Sequence, residues 1–333
     1  MKRRPMLVAL SMAIGLSLAA ASSSSDAQQF KYTLADAYGP AELLNQNMQA
    51  WADEIRKNTN GGLQIAMHFN GSLYKNPDIK RAVQTGQIEF GSQFMQNLGP
   101  EKRLFEIDGI PFLVRDYDEV AKLWEVSRPY LARHMEKQGL RLLYAAPWPS
   151  QAFFVKKEVN QLADMKGLRQ RAQNELTSRL AQLMGTVPTT VQLNEITQAM
   201  ATGTIQAFST STTTAVTLKL WEVASHFYDA NAWIPKQMVF INEQAFAKLP
   251  AQMQKAVLAA SANADRRGLQ MSRDNVEGAR KKLMEMGMKG GVPGPTLLKE
   301  LHAIGDTMRN EWLQKADDDA KQAMAQFMKA VGR

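Results

Sequence analysis

Asp164-Met-Lys-Gly-Leu-Arg-Gln-Arg171 and Gly203-Thr-Ile-Gln-Ala-Phe-Ser-Thr-Ser211 bracket the most telling stretch of this 333-residue chain. Lys166 and Gly167 read as a turn, and Gly167–Ala172 as a short strand that holds up Arg171. Helix Glu175–Met184, the short run Thr186–Val191, helix Asn194–Thr202 and strand Thr204–Ser209 follow. Strands alternating with helices, with glycines at the joints, describe an α/β unit with a mostly parallel sheet. A guanidinium fixed on a strand offers a rigid fork of donors matched to a carboxylate. The stretch therefore points to a site for a small acid.

Upstream, the same alternation has already run once. Phe30–Ala37 reads as a strand. Ala41–Asn58 places Leu44, Met48, Trp51, Ala52 and Ile55 at helical spacing, and Asn60-Gly-Gly62 stops it. Leu63–Phe69 is a strand, Asp78–Thr85 a helix ended by Gly86, and Ile88–Phe94 a strand. Asp116–Lys137 forms a long helix with an expected interruption near Pro129, and Leu140–Ala145 a strand. Ala146-Pro-Trp-Pro-Ser150 is then a stiff crossing, with prolines on both sides of Trp148 restricting the backbone. Downstream come a strand at Ala152–Val155, another around Phe240-Ile241, a long helical stretch within Glu243–Met288, and a helical tail over Thr296–Gly332. The fold class is α/β in two lobes, and a cleft between such lobes is a preferred ligand site.

Residues 1–27 read as a signal peptide. Lys2, Arg3 and Arg4 precede an apolar run, Met6–Ala21, and small polar residues lead to cleavage near Ala27, with Ala21 as the alternative. The run is short for a membrane anchor, so the expected location is the periplasm. The chain from Gln28 has about 306 residues, long for a single core and suited to two lobes. Net charge is +8, spread along the sequence, which describes a solvated surface and gives no sign of a nucleic-acid partner. The chain has no cysteine, which removes thiol catalysis and thiolate metal sites.

Chemistry-bearing motifs are scarce. The four histidines, His68, His134, His226 and His302, form no close metal-ligand pair. Neither a G-x-S-x-G elbow, a phosphate-binding glycine loop nor an S-x-x-K pattern is present. Met284-Glu-Met-Gly-Met288 suits core packing by flexible thioethers, with soft-metal binding as its alternative. No cofactor, metal or catalytic residue is called for.

Asn60-Gly-Gly-Leu-Gln-Ile65, Val83-Gln-Thr-Gly-Gln-Ile-Glu-Phe-Gly91, Ile110-Pro-Phe-Leu113, Met165-Lys-Gly-Leu-Arg-Gln-Arg171 and Glu195–Gly203 form a recognisable set. In them the chain resembles the periplasmic solute receptors of TRAP transporters, the DctP-type family. The resemblance implies a two-lobed, periplasmic-binding-protein-like fold with a ligand cleft between the lobes and a long helix spanning both. Lobe I is expected from residues 28–150 plus about 236–275, and lobe II from 151–235 plus about 276–333. Closure around an organic acid, delivery to TRAP membrane subunits, and no enzymatic role are implied as well. Arg171 matches the arginine that pairs with the solute carboxylate; its alternative is a structural ion pair.

The departures shape the expected site. Where many members carry a second arginine, this chain has Gln151, and Gln206-Ala-Phe-Ser-Thr210 replaces an acidic, amide-rich run. Phe94 stands where others place an acid. One arginine with aromatic walls suits a monocarboxylate with an aromatic or apolar body. The candidate ligand contacts are Arg171, Gln151, Trp148, Trp233, Phe94, Tyr38, Phe208, Ser209 and Thr210. Trp233 reads equally as core packing, Phe94 ends an apolar strand, and Phe208 has a reading that points it away from the cleft. The rival functions are a sugar-acid receptor of the same family, a receptor that signals to a sensor kinase, and an exported hydrolase or lyase.

Overall fold

A computed structural model describes residues 29–333, so the expected signal peptide lies outside the described residues. Two sheets carry the fold. The first contains β1 (Phe30–Ala35), β2 (Leu63–His68), β3 (Phe90–Phe94), β4 (Leu140–Pro147) and, from far along the chain, β10 (Lys236–Asn242), in the order β2-β1-β3-β10-β4. β1 runs parallel to β2 and β3, joined through α1 (Leu43–Asn58) and α2 (Asn76–Gln84), while β10 is antiparallel to both its neighbours. α1 turns Leu44, Met48, Trp51 and Ile55 onto this sheet, the face set by their three- and four-residue spacing. α3 (Tyr117–Glu136) runs unbroken through Pro129. Pro129 is exposed, so the carbonyl it leaves unpaired, on exposed Glu125, faces solvent.

The second sheet contains β5 (Gln151–Val155), β6 (Arg169–Ala172), β7 (Val187–Thr190), β8 (Ala207–Ser211), β9 (His226–Tyr228) and β11 (Lys289–Gly291), ordered β11-β9-β5-β8-β6-β7. α4 (Glu175–Leu183) and α5 (Ile196–Ala201) link its parallel strands β6, β7 and β8. Gly167 has a φ of 76°, a left-handed turn that lets the chain reverse into β6. Three elements escaped the sequence reading: β9, β11 and α6 (Thr212–Thr217). Three-residue strands are too short to display a period.

The chain crosses between the sheets after β4 and again before β10, and the two crossings hold each other. Trp148 N–H donates to Pro235 O at 2.7 Å, and Gln151 N–H to Trp233 O at 3.0 Å. α8 (Ala251–Glu285) has 35 residues, about 52 Å of helix, and packs on α1 and β4 of the first lobe and α6 of the second. It lies close because of Gly268, where a Cβ would collide with Ala146 and the Asn47 amide. The tail departs from the expected partition. α9 (Pro295–Lys315) packs on α4 in the second lobe, but α10 (Asp318–Ala330) returns to α3 in the first. Trp312, Ala320, Met324 and Phe327 bury into the first lobe's core, and that apolar stripe decides where α10 docks.

Candidate functional site

Between the two sheets lies a cleft lined by Tyr38, Phe94 and Trp148 on one side and Gln151, Gln173, Leu193, Thr210, Ser211 and Thr214 on the other. It holds about 290 Å³ of non-protein space, and a wider mouth of about 730 Å³ adjoins it, sharing Tyr38 and Leu193. The first-lobe residues sit at carboxyl ends of strands: Tyr38 follows β1, Phe94 ends β3 and Trp148 follows β4. The opening sides of α/β sheets at carboxyl ends are where ligands bind in such folds.

Arg171 lies on β6 opposite Thr189 of β7 and is only 5 % exposed. Its Nε donates to Val191 O at 2.9 Å and its Nη1 to Ser209 O at 3.4 Å, which fixes the guanidinium plane. Burial lowers its pKa to about 10, opposed by the nearby Tyr38 phenol and Glu195, so it stays cationic at neutral pH. Among the described residues no carboxylate lies within ion-pair distance of it, which removes the structural ion pair as an account of Arg171. A buried cation without an anion is costly, and an anionic solute offsets that cost.

The aromatic walls are locked. Tyr38 and Trp148 meet edge to face at 5.4 Å between centroids, and burial pushes the Tyr38 phenol upward, so it remains a neutral donor. Trp148 is 4 % exposed, with its indole N–H unpaired among the described residues. Gln151 is pinned by its Nε2 donating to Pro149 O at 2.9 Å, which leaves its amide oxygen for other partners. Thr210 lines the cleft, while Ser209 contributes its backbone carbonyl to Arg171.

Of the expected contacts, Tyr38, Phe94, Trp148, Gln151 and Thr210 line the cleft; Arg171 and Ser209 are not among its lining residues, and Phe208 and Trp233 pack elsewhere. Phe208 is fully buried and stacks on Phe154 at 4.9 Å with an interplanar angle of 2°, on the sheet face packed against α5 and α6. Alternation along β8 puts it there. Trp233 packs against Phe153 in the second lobe's core and does not line the cleft.

The sequence reading missed Gln173, Leu193, Ser211 and Thr214. For Ser211 and Thr214 the signal was the hydroxyl run Ser209-Thr-Ser-Thr-Thr-Thr214, which continues past the expected end of the strand; Gln173 and Leu193 carried none. Ser211 caps α6, its Oγ accepting from Thr214 N at 3.1 Å. Thr214 Oγ1 then donates across the cleft to Glu42 Oε2 at 2.9 Å. Glu42 is the residue before α1 and is 2 % exposed; burial raises its pKa to about 7, against the hydrogen bond from Thr214. On another edge, Arg103 Nη2 meets Glu175 Oε1 at 3.1 Å and Asn174 Nδ2 donates to Gln96 Oε1 at 3.5 Å. These contacts hold the lobes together around the cleft.

Residues 34–325 match the family model described as bacterial extracellular solute-binding protein, family 7. The chain belongs to that family. Family 7 proteins are solute receptors of the TRAP type, not a family of enzymes. The crystal structure of DctP7, a Bordetella pertussis extracytoplasmic solute receptor binding pyroglutamic acid, is 43% identical, covers 89% of this chain and 99% of its own, and superposes with a TM-score of 0.87. DctP6 of the same organism, also binding pyroglutamic acid, is 36% identical with 90% and 99% coverage and the same TM-score of 0.87. The C4-dicarboxylate-binding periplasmic protein DctP of Rhodobacter capsulatus is 26% identical over 204 residues, spanning 59% of this chain and 60% of that protein. No helix among the described residues is long and apolar enough to cross a membrane.

Proposed function

We propose that this family 7 receptor works outside the cytoplasm, exported by residues 1–27, and captures pyroglutamate or a close cyclic monocarboxylate for the TRAP membrane subunits. The observation that carries the reading is Arg171: a rigid, buried cation with no carboxylate partner, beside a small cleft walled by Tyr38, Phe94 and Trp148. A planar five-membered lactam has one carboxylate for that fork, two flat faces for the aromatic walls, and one N–H and one C=O at its rim. Gln151, Thr210 and Ser211 supply acceptors and donors for the rim. The absence of a second arginine at Gln151 argues against a dicarboxylate, which would bring a second charge into a dry site. Two relatives above 30% identity that bind pyroglutamic acid add to this support.

Binding stabilises the closed pair of lobes because only that arrangement brings Tyr38 and Trp148 within reach of the solute held by Arg171. The test is calorimetry on protein refolded to remove carried-over solute. L-pyroglutamate should bind with a dissociation constant of about a micromolar or tighter, about 8 kcal/mol. Succinate and D-glucuronate should bind far more weakly. Glucuronate binding with pyroglutamate inert would overturn the assignment in favour of a sugar-acid receptor.

A further inference from the structure

A second cavity lies in the first lobe, between α3, α8 and the ends of β4 and β10. Val120, Ala121, Trp124, Ala145, Pro147 and Leu269 make its apolar wall, with about 470 Å³ of non-protein space. Gly268 holds α8 close to β4 beside it. Lys236 enters this apolar space from the first residue of β10 and is 2 % exposed. Its ammonium has three N–H donors, yet the nearest acceptor among the described residues is Val120 O at 3.5 Å. The Trp124 ring centroid lies 6.0 Å away.

Asp265 is the only carboxylate lining the cavity, and it is already engaged. Its Oδ2 accepts from Trp124 Nε1 at 3.0 Å and lies 3.7 Å from Arg128 Nη1. Asp108, the other acid that faces Lys236, spends Oδ2 on the Lys236 backbone N–H at 2.8 Å and Oδ1 on Gln96. Arg266 stands at the rim. Three cations, Lys236, Arg128 and Arg266, therefore stand against the two carboxylates of Asp265 and Asp108, and a buried ammonium short of hydrogen-bond acceptors faces an apolar wall.

We infer that this cavity is a second binding site, separate from the cleft, for a small organic anion whose carboxylate sits on Lys236 and whose apolar body fills the space beside Trp124. The inference does not depend on which solute the cleft takes. A carboxylate supplies the missing acceptors, and the indole and aliphatic wall accept a short hydrocarbon chain. The neutral and cationic analogues of such a ligand lack the group that Lys236 requires.

The experiment uses 4,4,4-trifluorobutyrate, followed by fluorine NMR, on the full mature chain carrying Arg171→Met so that the cleft is disabled. Saturable binding with a dissociation constant of about a millimolar is expected for so few atoms. Trifluorobutanol should bind at least tenfold more weakly. Adding Lys236→Met should abolish binding, and Ala121→Leu, which fills the cavity and leaves Lys236 in place, should do the same. Absence of binding to the Arg171→Met protein would overturn the inference. So would binding that survives both cavity variants, or displacement of the probe by pyroglutamate in the wild-type protein, which would place it in the cleft.

Discussion

Solute affinity should rise as pH falls through neutrality, because the closed cleft buries the carboxyl of Glu42 against Thr214. Burial raises that carboxyl from its ordinary 4.5 to about 7. In the open form Thr214 withdraws and the carboxyl returns toward its ordinary value, so closure takes up a proton. A raised carboxyl pKa is a penalty on the closed form above that pKa, and the penalty fades below it. Between pH 8 and pH 6 the open form stays ionised while the closed form protonates, which strengthens binding about tenfold. The N-terminus of α6, which Thr214 belongs to, favours the anion by about 0.3–1 kcal/mol and trims the gain to about threefold. Asp36, raised to about 6, is a neighbour of like charge. Its partners Asn45, Gln237 and the Tyr38 backbone all belong to the first lobe, so opening leaves it alone. Arg171 remains cationic over this range. Calorimetry with pyroglutamate at pH 6, 7 and 8, in buffers of different ionisation heat, should show the three- to tenfold rise and proton uptake. Glu42→Gln, whose amide oxygen still accepts from Thr214, should give a flat profile. A flat profile in the wild type, or the same slope in Glu42→Gln, would refute the reasoning.

Arg171→Met should weaken pyroglutamate binding by about 2–5 kcal/mol, roughly 30- to 5,000-fold, the range for removing one partner of a buried charge pair. It should shift ligand-free stability by no more than about 1 kcal/mol, since the lost hydrogen bonds are offset by removing an unpaired buried cation. Calorimetry and urea melts check both, and unchanged affinity sinks the role. Phe208→Ala should cost about 3–5 kcal/mol of folding stability in urea denaturation, because it empties a stacked core position. Affinity under native conditions should change less than about threefold; a large affinity loss with intact stability would put Phe208 back in the cleft. Gly268→Ala should destabilise the protein by about 1–3 kcal/mol through its collision with Ala146, and a neutral thermal melt would show that α8 is not held there.

Much of the fold was legible because local rules had little competition. The glycine-punctuated alternation from Phe30 to Phe94, and again from Gly167 to Ser211, states the order of strands and helices. The place of Arg171 on a short strand after a tight turn was legible as well, because Lys166-Gly167 marks the turn and β6 follows it directly. Phe208 had two readings, because a strand residue takes either face until its register is fixed; pairing with Phe154 of β5 turns it away from the cleft. Trp233 lies in a crossing without a period, so its direction was open until Phe153 packed against it.

By itself, then, the amino-acid sequence determined the two α/β units, the extended crossings around Trp148 and the placing of Arg171 on a strand, all set by residues near one another along the chain. Only the tertiary structure decided which groups meet across the cleft. Glu42 and Thr214 are 172 positions apart, and nothing local to either predicts their bond. The return of α10 to the first lobe and the cavity around Lys236 belong to the same class. They arise from how apolar stripes and one close-packed glycine share space between helices, and that space is defined only once both lobes have formed.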